Sequence, residues 1–304
     1  MTLTENDILR RVRKVEIKTR GLSDEIFAGK YHTAFRGRGM SFAEVREYRV
    51  GDDVRDIDWN VTARSDRAHI KVYEEERELT MMLLVDVSPS RMFGSKELTK
   101  KNVITEVAAT LAFSAAKNND KVGCILFSDR IEKFIPPKKG RSHILMIIRE
   151  LVGFEPSGES TALSVPLRYL VGVNKKRTTS FLLSDLVNAE ADNEHFDDAL
   201  KIASSKHDIM AVRIYDERDR TLPNVGIVEV ADSETGRREW LDTSSRRVRD
   251  YWQQSYDRAM DEVRSRLSHN RIDIAEVATD GDYVKELIKM FKQRCTSCDP
   301  DGIF

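Results

Sequence analysis

This chain has few cysteines and no long apolar run. Its 304 residues include three cysteines, an odd and small number that argues against a disulfide framework and favours a reducing compartment such as the cytosol. No apolar stretch reaches the roughly 18–20 residues that a membrane-spanning helix needs, and the first residues lack the apolar core of a signal peptide. We therefore expect a cytoplasmic protein without a membrane span; peripheral contact with a membrane stays open.

An excess of charge of either sign is also missing. The chain has 50 basic and 51 acidic residues and a net charge of -1, so it has no overall bias toward nucleic acid or anionic lipid. Hydrophobic residues make up 40% of the sequence, which is enough for one large core, or for one core and a smaller module. We expect no nucleic-acid partner.

Zinc ligands are scarce as well. Cys295 and Cys298 form a single Cys-x-x-Cys pair, whereas a structural zinc site needs about four ligands. Neither a second pair nor histidines at zinc-ligand spacing accompany it. Redox pairs of this type normally begin a helix after a strand, but this pair follows a predicted helix. The pattern therefore predicts neither a zinc site nor a redox site.

The first part of the chain is more irregular than the rest. An amphipathic helix is predicted over residues 4–20 and a strand over residues 69–76. Between them, the acidic cluster at residues 52–58 predicts a turn-forming loop held by nearby arginines. Because this part is too short and irregular to bury a core of its own, we expect residues 1–78 to pack against a core domain at residues 79–294.

Strand and helix patterns alternate along the core domain, which predicts an α/β fold with a mostly parallel sheet and helices on both faces. The short connection at residues 128–130 predicts that the following strand is antiparallel. A small hairpin insertion is predicted over residues 226–241, and residues 295–304 form a tail. The predicted strands are 79–85, 121–127, 131–135, 179–184, 208–214 and 271–277, and the helices are 97–117, 141–151, 162–171, 194–205, 246–268 and 282–293.

Oxygen-bearing side chains follow several of the predicted buried strands. Asp86, Ser88 and Ser90 come directly after the first core strand, Thr161 lies in a turn that opens a helix, and Asp185 ends another strand. The carboxyl ends of parallel strands meet at one edge of a sheet, where open α/β sheets place their sites. Hydroxyl and carboxylate oxygens suit a hard divalent cation, Mg²⁺ or else Mn²⁺ or Ca²⁺. The alternative is that these residues only cap the helix that follows.

The spacing Asp-x-Ser-x-Ser, followed by a threonine and an aspartate from later loops, resembles a von Willebrand factor type A domain. The resemblance implies a three-layer, Rossmann-like fold and a metal-ion-dependent adhesion site. The metal ligands that it implies are Asp86, Ser88, Ser90, Thr161 and Asp185, with the hydroxyls binding directly and the carboxylates partly through water or hydrogen bonds.

A longer signature narrows the resemblance. The segment from Gly37 to Trp59, with its run Gly-Asp-Asp-Val-Arg-Asp-Ile-Asp-Trp, is similar to the bacterial domain-of-unknown-function family 58. The similarity continues through residues 86–94 and 232–236 and covers nearly the whole chain. It implies an adaptor or co-chaperone of a MoxR-type AAA+ ATPase in protein maturation or complex assembly. The ATPase or its client would supply a carboxylate to the metal.

Two other functions stay open. One is a Mg²⁺-dependent phosphatase or nuclease that uses Asp86 and Asp185. A phosphotransferase of the haloacid-dehalogenase type needs a second aspartate where this chain has Ser88, and a two-metal nuclease needs more carboxylates. We also expect no lysine, histidine or cysteine beside the site as a base or nucleophile, so we do not expect an enzyme. The other alternative is a scaffold whose metal site is silent.

Overall fold

The computed structural model describes residues 41–297, apart from residues 50, 51, 54, 56, 66, 75–78, 95–98, 159, 188–191 and 232–237. The helix predicted over residues 4–20, the turn at residues 232–236 and Cys298 lie outside the described residues. The described chain divides between residues 79 and 80 into two compact units.

The smaller unit contains a two-stranded antiparallel sheet and a short helix. Strand β1 (Ser41–Glu47) pairs with β2 (His69–Glu74), and helix α1 (Trp59–Thr62) lies between them in the sequence. The side chain of Asp58 accepts from the amides of Asn60 and Val61 and so caps α1. Sequence patterns predicted β2, but not β1 or α1.

The acidic loop of this unit is held by arginine, as predicted. The guanidinium of Arg46 donates to both carboxylate oxygens of Asp52, at 2.8 and 2.7 Å. The backbone amide of Arg49 donates to the same carboxylate at 2.7 Å. These contacts, the Arg46 hydrogen bond first, lower the pKa of Asp52. The loop therefore needs no metal ion to fix Asp52.

The larger unit is built on a six-stranded sheet that is parallel except at one edge. At that edge the outermost strand, Ile131–Lys138, pairs antiparallel with its neighbour, Lys121–Phe127, and carries Pro136 and Pro137. The spatial order is β10-β7-β6-β3-β4-β5, for the strands β3 (Thr80–Asp86), β4 (Lys121–Phe127), β5 (Ile131–Lys138), β6 (Thr179–Ser184), β7 (Asp208–Tyr215) and β10 (Asp273–Ala278).

This strand order is that of a doubly wound α/β fold. The chain starts in the middle at β3, adds β4 and β5 on one side, and then crosses to add β6, β7 and β10 on the other. The order of the connections reverses between β3 and β6, and such a switch point opens a crevice at the carboxyl ends of the strands. The predicted α/β class and the antiparallel β5 are confirmed.

Helices cover both faces of the sheet. The larger helices are α2 (Lys100–Lys117), α3 (Arg141–Gly153), α4 (Ser164–Val173), α5 (Asn193–Lys206), α7 (Arg246–His269) and α8 (Tyr283–Ser297), and the single turn α6 (Glu217–Arg220) follows β7.

Alternate residues of the strands serve the two helical layers. On one face, Met82 and Leu84 of β3 join a core with Leu167 of α4, Phe196 of α5 and Leu267 of α7. On the other face, α8 packs against β6, where the rings of Phe181 and Phe291 are 6.2 Å apart, and α2 meets α8 and α3. Because both faces are covered, β3 is buried from Met81 to Asp86 and its sequence is almost wholly apolar.

The predicted insertion is an antiparallel hairpin of β8 (Ile227–Ala231) and β9 (Arg238–Asp242). Among the described helices, none combines the length and apolarity needed to cross a membrane.

The spacing of β4 and β5 depends on Gly123, and this gives a test of the sheet. A Cβ at this position would lie 2.6 Å from Met82 Sδ and 3.0 Å from the backbone oxygen of Ile135. We expect Gly123→Ala to lower the free energy of unfolding by about 1–3 kcal/mol, because the sheet must shift to make room. The matched control is Gly172→Ala in α4, where a Cβ meets nothing within 4 Å; it should be neutral or stabilising by up to about 1 kcal/mol. Urea denaturation of both variants measures the difference, and equal effects would contradict this account of the sheet.

Candidate functional site

Two buried aspartates lie at the switch point of the sheet. Asp86 is the last residue of β3, and Asp185 directly follows the neighbouring strand β6. Their exposed fractions are only 2% and 5%. The sequence predicted that these strand ends share one edge of the sheet, and the strand pairing places them there.

The surroundings of Asp86 disfavour the ionised form of its carboxyl group. Its two oxygens accept from the backbone amide of Ser88 at 2.9 Å and from Ser184 Oγ at 2.6 Å. Burial, together with the negative charge of Asp185, nevertheless raises the pKa of Asp86 to about 6, because the hydrogen bonds offset only part of these effects. A nearby cation would stabilise the ionised form of Asp86.

The hydroxyls of Ser88 and Ser90 lie next to Asp86. A short 3₁₀ helix over Pro89–Met92 follows Ser88, and this tight turn brings the two Oγ atoms to 3.0 Å from each other. Ser88 is buried and Ser90 is half-buried. The first part of the predicted motif thus presents one carboxylate and two hydroxyls together.

Thr161 is buried, and its Oγ1 has no hydrogen-bond partner among the described residues. Its position follows from two backbone bonds at the end of β4. The amide of Ala162 donates to the carbonyl of Ser128, and the amide of Val87 donates to that of Phe127. The loops that carry Thr161 and Asp86 are therefore attached to adjacent residues. A buried hydroxyl without a partner costs stability unless a ligand satisfies it.

Glu132 of β5 holds the turn that leads to Thr161. Its carboxylate accepts from Ser128 Oγ at 2.7 Å, from the amide and Oγ of Ser157 at 3.1 and 2.6 Å, and from the amide of Gly158 at 2.7 Å. Burial opposes ionisation, but these bonds prevail and lower the pKa of Glu132. Sequence reasoning missed this residue, because Ser157 and Gly158, which supply three of its four hydrogen bonds, lie 25 and 26 positions away in the chain.

Lys100, at the start of α2, forms a buried ion pair at the site. Its Nζ lies 3.0 Å from Asp185 Oδ2 and 2.8 Å from Asp219 Oδ2. Burial alone would lower the pKa of Lys100, but the two carboxylates outweigh it and raise the pKa. The expectation concerned a lysine acting as a base or nucleophile, and a paired, protonated Lys100 does not contradict it; sequence reasoning did not place this lysine at the site. The helical periodicity of the sequence carries a signal for its burial, because Lys100 lies on the same buried side of α2 as Ile104 and Val107.

A second buried cation, Arg91, interacts electrostatically with Asp86. One of its guanidinium nitrogens donates to the carbonyl of Phe154 at 2.6 Å, and only 4% of the residue is exposed. Burial lowers the pKa of Arg91 to about 10, against the attraction of Asp86 and Glu132. The guanidinium remains charged at neutral pH, so each aspartate has a cationic side chain that interacts with it: Arg91 with Asp86 and Lys100 with Asp185.

The backbone after Asp185 is strained. Leu186 has a φ of 59°, in the left-handed region that side chains disfavour. Its side chain is fully buried, and its amide donates to Ser184 Oγ at 3.0 Å. The same serine hydroxyl donates to Asp86, so this loop fixes both aspartates relative to each other. Strain of this kind clusters at functional sites.

The donor set fits a small hard cation rather than zinc. Among the described residues, no group of three or more His, Cys, Asp and Glu side chains is placed to hold a metal, whereas hydroxyls and two carboxylates suit Mg²⁺ or Mn²⁺. Each carboxylate oxygen of Asp86 and Asp185 already accepts one hydrogen bond. The unpartnered Oγ1 of Thr161 is the group most free to bind an ion directly.

The four hydrogen bonds that Glu132 accepts from Ser128, Ser157 and Gly158 form a clamp on the Thr161 turn, the Glu132 clamp. Its contribution to stability can be tested without a metal. Glu132→Gln replaces a charged acceptor of four hydrogen bonds, and we expect it to lower the free energy of unfolding by about 1.5–3 kcal/mol. The matched control is Glu150→Gln, which breaks an exposed pair with Lys133 at 2.8 Å and should cost about 0–1 kcal/mol. Urea denaturation of the two variants decides; similar losses would show that Glu132 does not hold the Thr161 turn.

Comparison with known proteins gives the following matches. The uncharacterized protein Rv1480 of Mycobacterium tuberculosis is 28% identical over 227 residues, which cover 74% of this chain and 70% of the relative. BatB from Bacteroides thetaiotaomicron, a conserved hypothetical protein of known structure, has a TM-score of 0.45 at 13% identity and covers 72% of this chain and 99% of its own. For the SpRpn10 VWA domain the TM-score is 0.38 at 10% identity, with 70% and 94% covered.

Because these TM-scores lie below 0.5, the fold assignment rests on the strand order of the chain itself. The family is assigned by sequence instead. The model of the family "Protein of unknown function DUF58" matches residues 44–262, which include most of the signature and most of the larger unit. The chain therefore belongs to the DUF58 family.

Proposed function

We propose that this protein is an interaction module that docks a partner protein through a divalent cation at the switch point of its sheet. The observation that carries the proposal is the buried, unpartnered hydroxyl of Thr161, in a loop attached next to the loop of Asp86, together with two buried carboxylates that repel each other. A bound cation would satisfy the hydroxyl and offset the repulsion at once. Asp86, Ser88, Ser90, Thr161 and Asp185 would hold Mg²⁺, or Mn²⁺ or Ca²⁺ in its place.

The residues of the chain leave such a cation incompletely neutralised. Ser88, Ser90 and Thr161 are neutral ligands, and the negative charge of Asp185 is already shared with Lys100. An ion held there retains positive charge and, with few protein ligands, an open position. It would supply an electrophilic docking point for an aspartate or glutamate of the partner.

The partner is proposed from the family resemblance. A MoxR-type AAA+ ATPase, or a client of that ATPase, would bring the carboxylate, and the protein would act in the cytoplasm as an adaptor in protein maturation or complex assembly. No contact with nucleic acid is proposed, since the net charge is -1.

The geometry gives little support to an enzyme. The two carboxylate pairings of Lys100 keep its amine protonated, so it is a poor general base. Burial also raises the pKa of the Cys124 thiol, which keeps it from acting as a nucleophile. Neither Lys100 nor Cys124 is thus in the ionisation state that a general base or a nucleophile would need.

Metal binding can be tested with a substitution that leaves the fold intact. Thr161→Val keeps the volume of the side chain and removes a hydroxyl that has no partner, so the metal-free variant should be as stable as the wild type. At a hundredfold excess of Mg²⁺ or Mn²⁺ over Kd, the wild type should gain about 2.7 kcal/mol, and Thr161→Val should lose most of that gain. Thr161→Ser, which keeps the hydroxyl, is the matched control. Thermal unfolding with and without metal measures all three; an equal gain in wild type and Thr161→Val would place the ion elsewhere.

Partner docking should depend on the same residues. We expect the full-length protein to capture a AAA+ ATPase or its client from a lysate of the source cell in Mg²⁺, and to release it in EDTA. Ser88→Ala and Thr161→Val should each weaken capture at least about tenfold, because each removes a ligand of the ion that the partner carboxylate would bind. Ser204→Ala, on α5, is the surface control. Equal capture by wild type, Thr161→Val and chelated protein would support the silent scaffold instead.

A further inference from the structure

We propose that Lys100 is a resident counter-cation that weakens the binding of a divalent ion at the site of Asp86 and Asp185. Lys100 would thereby make firm metal binding depend on an anionic ligand. This inference rests on the proposed function, since it concerns the same site. It assigns a role to a residue that lies outside the motif Asp-x-Ser-x-Ser.

The contacts of Lys100 place its charge directly against a metal-site carboxylate. Its Nζ lies 3.0 Å from Asp185 Oδ2, and the side chains of both residues are only 5% exposed. The other oxygen of Asp185 accepts from the amide of Val187 at 3.2 Å. Asp185 therefore meets an incoming cation with both oxygens engaged and its charge already paired.

Asp219 competes with Asp185 for the ammonium of Lys100 and so limits how far Lys100 neutralises Asp185. Its Oδ2 lies 2.8 Å from Lys100 Nζ and also accepts from the amide of Asp216 at 3.0 Å. Its backbone oxygen accepts from Trp252 Nε1 at 2.9 Å. These bonds fix the position of Asp219 within α6. The ammonium of Lys100 therefore interacts with two carboxylates and neutralises Asp185 only in part.

The charges lead to a definite thermodynamic consequence. A divalent ion at Asp185 would be repelled by the ammonium of Lys100, and at such short range this repulsion changes an affinity by an order of magnitude or more, even at the effective dielectric of a protein surface. A carboxylate from a partner adds a negative charge and reduces the repulsion. Metal and anionic ligand should then bind cooperatively, each raising the affinity of the other by the same factor.

Two substitutions should move the metal affinity in opposite directions. Lys100→Met removes the competing charge, so Mn²⁺ alone should bind about tenfold more tightly. Asp219→Asn removes the second carboxylate that pairs with Lys100, so the ammonium interacts with Asp185 alone. Mn²⁺ alone should then bind about tenfold more weakly. A purely structural role for the pair would weaken Mn²⁺ binding in both variants, because both would loosen the site.

Titration calorimetry of the full-length protein with Mn²⁺ measures these affinities at constant ionic strength. Arg294→Met is the matched control, because it removes another partly buried cation, paired with Asp208 and Asp273, and it should leave the affinity for Mn²⁺ unchanged. If Lys100→Met does not fold, Lys100→Gln, which also removes the charge but keeps a polar end, takes its place and should likewise bind Mn²⁺ more tightly than the wild type.

Each result assigns the failure to one proposal or the other. Unchanged or weaker Mn²⁺ binding by folded Lys100→Met, or unchanged or tighter binding by Asp219→Asn, overturns the role of Lys100 while metal-dependent docking stands. Tighter binding by Lys100→Met together with metal-independent capture of the partner supports Lys100 and overturns the proposed function. If neither wild type nor Lys100→Met binds Mn²⁺, both proposals fall.

Discussion

Two carboxylates lie almost out of contact with water at the carboxyl ends of neighbouring strands, and the rest of the site is organised around their mutual repulsion. Asp86 and Asp185 cannot both carry a full charge there without compensation, which is why burial and the neighbouring charge raise the pKa of Asp86 to about 6. The sheet is covered on both faces and the strands behind these side chains are buried, so the carboxylates lie at the strand ends. The fold therefore brings the two carboxylates together, and the surrounding loops must compensate their repulsion.

The surrounding residues compensate this repulsion with one positive charge for each aspartate and with hydrogen bonds that fix the two carboxylates. Lys100 pairs with Asp185, and Arg91 lies near Asp86. Ser184 and the strained Leu186 fix the two aspartates relative to each other. None of these groups satisfies the hydroxyl of Thr161, which the Glu132 clamp nevertheless holds at the same edge. A site with compensated charges and one unsatisfied hydroxyl is suited to reversible ion binding, which agrees with a docking function more than with a permanent structural metal.

Sequence patterns predicted the parts of this structure that depend on local order. The core strands and helices follow from apolar runs and helical periodicity, and Asp86 and Asp185 follow from the rule that parallel strands end at one edge. Strand β1 was missed because it forms only by pairing with β2, more than twenty residues later. Lys100 was missed because a single lysine in a first helical turn normally faces solvent, and Glu132 because its role depends on a turn that only the folded chain brings near. Local signals thus located the carboxylates and hydroxyls, while their supporting charges required the tertiary structure.

The two prolines of β5 bear on how this protein can associate with others. Strand β5 is the outermost strand on its side of the sheet, and an open strand edge is a ready template for a strand from another chain. Pro136 and Pro137 have no amide hydrogens to offer, so this edge cannot complete a regular ladder with an incoming strand. The protein is in this way protected against edge-to-edge aggregation on that side, and a partner that extends the sheet there is disfavoured.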